Sequence, residues 1–242
     1  LWAETSWTWE NSYWYYYQRW NNYGFANTWN IASTWTTKVD TTGYGPDNYY
    51  NSSIFIKGNS DWSSVNNENL WWWGNTSNPD SRRQWPCPSG YHVPDTLEWK
   101  AAYNLFKSWA DTTQWQTYCS TFTDDNTTYK PKCFAAKLGL PFAGHRLIDY
   151  ASVGSQGTNG IYWSSSPSPS YASYSYTLYF TSSDVYPQSN GRRAYGFSVR
   201  CFKNSSTKAL TFSRNGETVD TKNVRWWDAI TWAYKPTFSV NG

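Results

Sequence analysis

The chain has 242 residues, enough for one large domain with a small appendage. Hydrophobic residues make up 39 %, aromatics 21 % and charged residues only 15 %, which calls for an aromatic-rich core and a mostly uncharged polar surface. The net charge is +3 and its longest basic runs are the pairs Arg82-Arg83 and Arg192-Arg193, which argues against nucleic acid as a partner; no segment approaches the roughly 18 apolar residues of a membrane span.

Residues 1–53 are rich in Trp, Tyr, Asn, Thr and Gly. Tyr13 to Tyr17 is an aromatic run with strand propensity, and Asn21-Asn22-Tyr23-Gly24 reads as a turn. Thr41 to Asn48 is loop, and Ser53 to Ile56 is a short extended apolar piece. Residues 58–86 lack regular periodicity. A helix signal follows. Asp95 or Thr96 can cap it, Glu98 lies in its first turn, and Leu97, Ala101, Leu105 and Trp109 recur at every fourth position. Tyr103 and Phe106 widen that face, so the pattern predicts an amphipathic helix over 95–110 with its stripe in the core. Cys133 to Leu140 reads as a second short helix, ended by Gly139 with Pro141 just beyond. Pro141 to Arg146 opens a sheet, Gly154 to Gly160 is its turn, and Ile161 to Ser164 is the next strand.

Gly160 to Cys201 combines two textures. Leu178 and Phe180 alternate with Tyr179 and Thr181, and Phe197 and Val199 alternate with Ser198 and Arg200, the period of half-buried strands. Almost everything between the apolar blocks is Ser, Tyr, Pro, Asn, Gln, Asp, Arg or Gly, and Pro187 to Arg193 reads as a surface turn. This is the residue mix of antibody paratopes, in which Tyr supplies contact area with few rotors to freeze. The residues expected to bind ligand are Ser168, Ser170, Tyr171, Ser173, Tyr174, Tyr176, Tyr179, Ser182, Asp184, Tyr186, Gln188, Asn190, Arg192, Arg193 and Tyr195. Those from Tyr174 onward, Ser182 apart, are expected to share one exposed face. Parity nevertheless sets Tyr176 with Leu178 and Phe180 unless a bulge intervenes.

After Lys203, Asn204 to Thr207 is linker-like. Ala209 to Phe212 and Val219 to Val224 read as two strands around the hairpin signal Asn215-Gly216, so 204–242 is expected to be a small β appendage beside a domain over 1–203. The appendage faintly resembles β-repeat modules of bacterial surface proteins, with Glu217 standing where those repeats have a second Gly. The chain has no Met and begins at Leu1, which suggests a leader, anchor or tag outside it. Four cysteines without a CxxC, beside only His92 and His145, favour disulfides over zinc and hence an oxidising compartment. Three connectivities are open to four cysteines. Cys119–Cys133 would close the short polar loop Ser120 to Lys132.

Three motifs occur in order: CPSGYHVP (Cys87 to Pro94), YWSSS (Tyr162 to Ser166) and RAYGFSVRC (Arg193 to Cys201). Together they resemble the Fibrobacter succinogenes major paralogous domain, of the C-type-lectin-like superfamily. Ser12 to Phe25 is similar to that family's opening strand region and Phe55 to Trp71 to its middle, so the resemblance covers about 1–203. It implies an α+β, loop-rich C-type-lectin-like fold, an extracellular or cell-surface setting and a Cys87–Cys201 bridge. Domains of this fold also serve as variable proteins of diversity-generating retroelements, which randomise template adenines near the end of the domain. Asn codons then scatter into Tyr, Ser, Asp, Thr, Gly and Arg, the set found over 168–195.

Nineteen Trp against fifteen Gly is unusual, since exposed Trp invites aggregation. Trp20, Trp72, Trp73 and Trp85 stand where the resembling family more often has Gly, and Trp7, Trp9, Trp29, Trp35, Trp226 and Trp227 sit in turn-like contexts. Trp14, Trp62, Trp71, Trp99 and Trp163 match aromatic positions of the family. A lineage reading the codon UGA as glycine would produce this split; a genuine sugar-stacking surface is the alternative.

Catalytic constellations are not apparent. There is no GxSxG, P-loop or HExxH, and neither histidine has a nucleophile beside it. Asp124-Asp125-Asn126 reads as a solvated loop rather than a calcium site, and the EPN, QPD and WND triplets of calcium-dependent lectins are missing. No metal, cofactor or enzymatic activity is expected. Cys201 lacks the nearby partner cysteine of the related formylglycine-generating enzymes, which leaves that activity a third reading. The first is a diversified binding module for a protein or glycan ligand on another cell or surface. The second is a fixed carbohydrate- or cell-wall-binding module.

Overall fold

The computed structural model describes residues 15–224 apart from 36–37, 45–48, 59, 66–82, 84–85, 111–112, 123–129, 205–207 and 215–216. The chain divides into two compact units, Leu1–Phe202 and Lys203–Gly242. In chain order the elements up to the boundary are β1 (Tyr16–Gln18), β2 (Ser33–Thr34), β3 (Phe55–Ile56), β4 (Tyr91–His92), α1 (Thr96–Ala110), α2 (Thr113–Cys119) and α3 (Pro131–Leu138). They continue with β5 (His145–Arg146), β6 (Val153–Gly154), β7 (Gly160–Pro167), β8 (Tyr174–Phe180), β9 (Val185–Arg192), β10 (Gly196–Ser198) and β11 (Phe202–Lys203). The main sheet runs β6-β5-β10-β7-β8-β9, with β1 also paired to β10. Every ladder in it is antiparallel except β10 with β7. The class is α+β with a mostly antiparallel sheet. In the second unit β12 (Lys208–Arg214) and β13 (Glu217–Val224) form an antiparallel hairpin; its expected turn, Asn215-Gly216, lies outside the described residues.

Strand β7 is buried on both faces, which is why its sequence reads as an unbroken block. Tyr162 lies opposite Leu178 and points with it and Phe180 into a cluster under α1 and α3, among Trp99, Tyr103, Phe106 and Phe134. Ile161 and Trp163 point the other way, into a cluster with Trp62, Phe197 and Val199. Aromatic edges meet throughout the first cluster: Phe134 packs edge-on against Tyr103, Phe106 and Phe180. The aromatic core that the composition calls for is therefore divided: two large clusters separated by one strand, and a third of Tyr16, Phe25, Phe55 and Ala151.

Helix α1 is capped reciprocally. Asp95 Oδ1 accepts the Glu98 N–H at 2.8 Å, and Glu98 Oε2 accepts the Asp95 N–H at 2.8 Å. The side chain of Trp109 lies outside the described residues, and the buried stripe keeps only Tyr103 and Phe106 of the expected one. It is Trp99, Ala102, Tyr103 and Phe106, while Leu97 is 70 % exposed and Ala101 and Leu105 are half-buried. The capping carboxylate faces inward to buried Arg83 and His92. That contact rotates the helix so that the large rings, rather than the four-residue leucine pattern, fill the core. Helix α3 starts with Pro131 at its first turn, two residues before the expected start, and closes on Gly139 at φ 59, a conformation that suits glycine. Helix α2 has no counterpart in the sequence reading; TQWQTYC carries no apolar stripe.

Both expected disulfides form. Cys87–Cys201 spans 114 positions, and Cys119–Cys133 joins the end of α2 to α3. Both bridges and all three core clusters of the described residues lie within Leu1–Phe202. A chain truncated after Lys203 should therefore still unfold cooperatively on heating. Loss of the cooperative transition would place residues 204–242 inside the folding unit.

Candidate binding surface

Strands β8 and β9 are joined by the tight loop Thr181 to Asp184. Thr181 Oγ1 accepts the N–H groups of Ser183 and Asp184, both at 3.2 Å, and Ser183 Oγ donates to Asp184 Oδ2 at 2.6 Å. The segment expected as a turn, Pro187 to Arg193, is instead mostly the edge strand β9. Its sequence VYPQSNGR has no apolar alternation, and Pro187 argues for a turn. An edge strand tolerates proline because one row of its N–H groups has no ladder partner. Burial nevertheless alternates: Val185 and Gly191 are buried, while Tyr186, Gln188, Asn190 and Arg192 are exposed. Gly191 is a close-approach position; a β-carbon there would lie 2.3 Å from Phe197.

A bulge lies between the pairs Thr177–Ser189 and Tyr179–Tyr186, where Pro187 and Gln188 together oppose Leu178. The extra residue is in β9, so β8 keeps its parity. Tyr174 and Tyr176 share the face of Leu178 and Phe180 but lie beyond the end of the helical core and stay half-exposed. Tyr179 and Tyr186 pair on the opposite face, above Ile161. The single expected face is therefore two patches on one hairpin. In the first, Tyr171 and Tyr174 have ring centroids 5.2 Å apart, Arg192 Nε donates to Tyr174 Oη at 3.0 Å, and Asn190 sits across from Tyr176. Tyr195 and Asp149 lie close enough to influence the Arg192 charge. In the second, Tyr179 and Tyr186 stack at 5.8 Å with planes 12° apart, next to Asp184. Burial, then the neighbouring Tyr186 and Asp184 charges, push the Tyr179 hydroxyl up.

Of the other expected residues, Ser170 and Tyr171 are exposed in the loop before β8, and Ser173, Ser182 and Asp184 are half-buried. Tyr195 is half-buried, stacked on Phe197 at 5.5 Å with its edge to His145. Two residues are not on the surface. Ser168 is 2 % exposed and Arg193 is 0 % exposed. Arg193 turns inward because its backbone N–H is held by Ser173 O at 3.0 Å and its guanidinium has partners inside: Tyr174 O at 3.2 Å and Asp61 Oδ2 at 3.3 Å. Beside it, buried Arg19 donates from Nε to Ser175 Oγ at 2.9 Å and from Nη2 to Ser165 O. Burial and then the like charge of Arg193 lower the Arg19 pKa, with Asp61 opposing. Ser175, Thr177, Arg19 and Asp61 were not singled out by the sequence, because serine and charged residues read as surface in the absence of their partners.

A second buried polar group holds the base of α1. Glu98 accepts from Arg83 Nη1 at 2.7 Å and lies 3.0 Å from His92 Nε2. Burial alone would raise its carboxyl, but the hydrogen bonds and charges of His92 and Arg83 outweigh that and hold it at about 2. Among the described residues no group of His, Cys, Asp and Glu has the arrangement of a metal site; Asp124 to Asn126 lie outside them. No free thiol remains, since all four cysteines are bridged. No helix among the described residues is long and apolar enough to cross a membrane. No protein-family model, curated protein or solved structure matches the chain.

The Glu98 carboxyl is depressed in the folded state, from an ordinary 4.5 to about 2. Its stabilising contribution is therefore complete above about pH 4.5 and is lost as pH falls toward 2. Acid titration of unfolding free energy should show a steeper loss across that window for the parent than for Glu98→Gln. Equal slopes would show that the Arg83–Glu98–His92 group does not govern acid stability.

Proposed function

We propose that this chain is an extracellular ligand-binding module. In this reading a C-type-lectin-like scaffold presents the β8–β9 hairpin, and the loop before it, as a diversified Tyr/Ser/Asn/Arg surface. The observation that carries the reading is the alternation along β9. Side chains suited to recognition, Tyr186, Gln188, Asn190 and Arg192, point to solvent, while Val185 and Gly191 hold the strand to the core. Tyr171 and the paired rings Tyr179–Tyr186 extend the surface. Tyrosine contributes large amphipathic contact area at low rotamer cost, and Asn, Gln and Ser supply adaptable hydrogen bonds, so such a surface accepts many partners by exchange of side chains. The order of the CPSGYHVP, YWSSS and RAYGFSVRC motifs and the two disulfides support the lectin-like and extracellular parts of the reading. The ligand is a protein or glycan on another cell or surface. Adenine-directed mutagenesis fits the Tyr, Ser, Asp and Asn content, because their codons differ from those of Asn only at its two adenines.

The test is a phage-displayed library varied at Tyr171, Tyr176, Tyr186, Gln188, Asn190 and Arg192, selected against purified proteins of unrelated shape. Expected are target-specific binders that melt within a few degrees of the parent. A library that yields no binder, while the unvaried chain binds a glycan array through Tyr186, would replace the reading with a fixed carbohydrate-binding module. In the genome, the DNA of 167–195 should recur as a near copy, differing at adenines, beside a reverse transcriptase gene.

A further inference from the structure

The tryptophans whose side chains are described fall into two physical sets. Trp62, Trp99 and Trp163 are 0 % exposed. Each indole N–H donates to a backbone carbonyl: Trp62 to Arg19 O at 2.6 Å, Trp163 to Tyr17 O at 2.7 Å and Trp99 to Trp163 O at 3.4 Å. This is how a buried tryptophan is ordinarily satisfied. Trp29 and Trp35 are the reverse, 76 % and 63 % exposed. Trp20 is buried, but its indole N–H has no hydrogen-bond partner.

Position 20 also has the backbone of a different residue. Its φ is 74°, in the left-handed region. It is the third residue of a turn closed by the Asn21 N–H donating to Gln18 O at 2.9 Å. A β-turn with positive φ at its third residue calls for glycine, because a β-carbon there crowds the backbone. A bulky side chain with positive φ is an outlier on steric grounds. Among the described residues the other positive-φ non-glycine positions are Lys130, Ala151 and Ser155, none of them aromatic.

We infer that positions 20, 29 and 35 are glycine in the native protein, encoded by UGA in a lineage that reads this codon as glycine. Positions 62, 99 and 163 are tryptophan encoded by UGG. One set has the environment of a core indole. In the other set, position 20 has a glycine backbone although its ring is buried with the Arg193 guanidinium 3.9 Å over it, and positions 29 and 35 leave the ring mostly in solvent, Trp35 beside Lys57. The native surface therefore lacks the exposed rings at 29 and 35, and recognition falls to the tyrosines of the hairpin. The inference does not depend on what the hairpin binds.

Peptide-resolved mass spectrometry of the protein isolated from its own organism, read together with the gene, tests it. Glycine with UGA at 20, 29 and 35, and tryptophan with UGG at 62, 99 and 163, is the expected result. Tryptophan in the native peptide at any of the first three, or glycine at any of the last three, overturns it. On protein made with the standard code, Trp29→Gly with Trp35→Gly should melt no lower than the parent, whereas Trp163→Gly should lose its cooperative transition. A drop in melting temperature for the double variant would count against the inference.

Discussion

The fold of the hairpin depends on a buried charge arrangement, the Arg193–Asp61 ion pair with Arg19 beside it. Desolvating an ion pair costs several kcal/mol per ion, so such a pair persists only where other hydrogen bonds hold its members in place. Here Tyr174 O, Ser175 Oγ and Ser165 O accept from the two guanidiniums. These acceptors belong to the end of β7 and the start of β8. Arg19 follows β1, and Asp61 lies in the irregular region after β3. The backbone adds to the tie: the Arg19 N–H donates to Arg193 O, and the Ala194 N–H to Ser60 O. One polar knot thus joins five parts of the chain at the base of the hairpin. The outward positions need contribute nothing to holding it.

Chemistry and chain order separate cleanly in this arrangement. Every second residue of β9 faces solvent, and its inward neighbours are small or aliphatic. Strand β7 separates the two larger aromatic cores, and Cys87–Cys201 ties the chain ahead of α1 to the residues after β10. Glu98 caps α1 and neutralises Arg83 in one contact, which fixes that helix against the sheet without surface charge. A chain with only 15 % charged residues therefore spends several of its charges inside.

Much of the scaffold was legible in the sequence. The helix after Asp95, β7 and the Leu178–Phe180 alternation were apparent because each rests on a local signal of caps or apolar period, and Cys119–Cys133 closes a short loop, whereas the Cys87–Cys201 pairing, 114 positions apart, followed only from the family resemblance. The edge strand β9 was not legible. Its bulge puts exposed side chains on both faces, Tyr186 on one and Asn190 and Arg192 on the other, so it lacks an apolar period, and Pro187 mimics a turn. The rotation of α1 by its inward-facing Glu98 depends on Arg83 and His92, which sequence spacing does not connect to it. The two-patch geometry of the tyrosines depends on where the helical core ends, a tertiary fact. Arg193 looked like its neighbour Arg192 because adjacent identical residues carry no local sign of which one finds a carboxylate.

That pair of arginines offers the most direct measurement. Arg192 is exposed and bonded to a tyrosine hydroxyl; Arg193 is buried and paired with Asp61. Denaturant unfolding of Arg192→Ala and Arg193→Ala, each also assayed for binding to a target recovered with the parent hairpin, separates display from framework. Arg192→Ala should unfold within about 0.5 kcal/mol of the parent while binding weakens, the behaviour of a surface contact residue. Arg193→Ala should lose about 3–5 kcal/mol, the cost of leaving a buried partner unpaired. Equal stability loss in the two variants, or unchanged binding by Arg192→Ala, would contradict the division between a buried framework and an exposed, exchangeable surface.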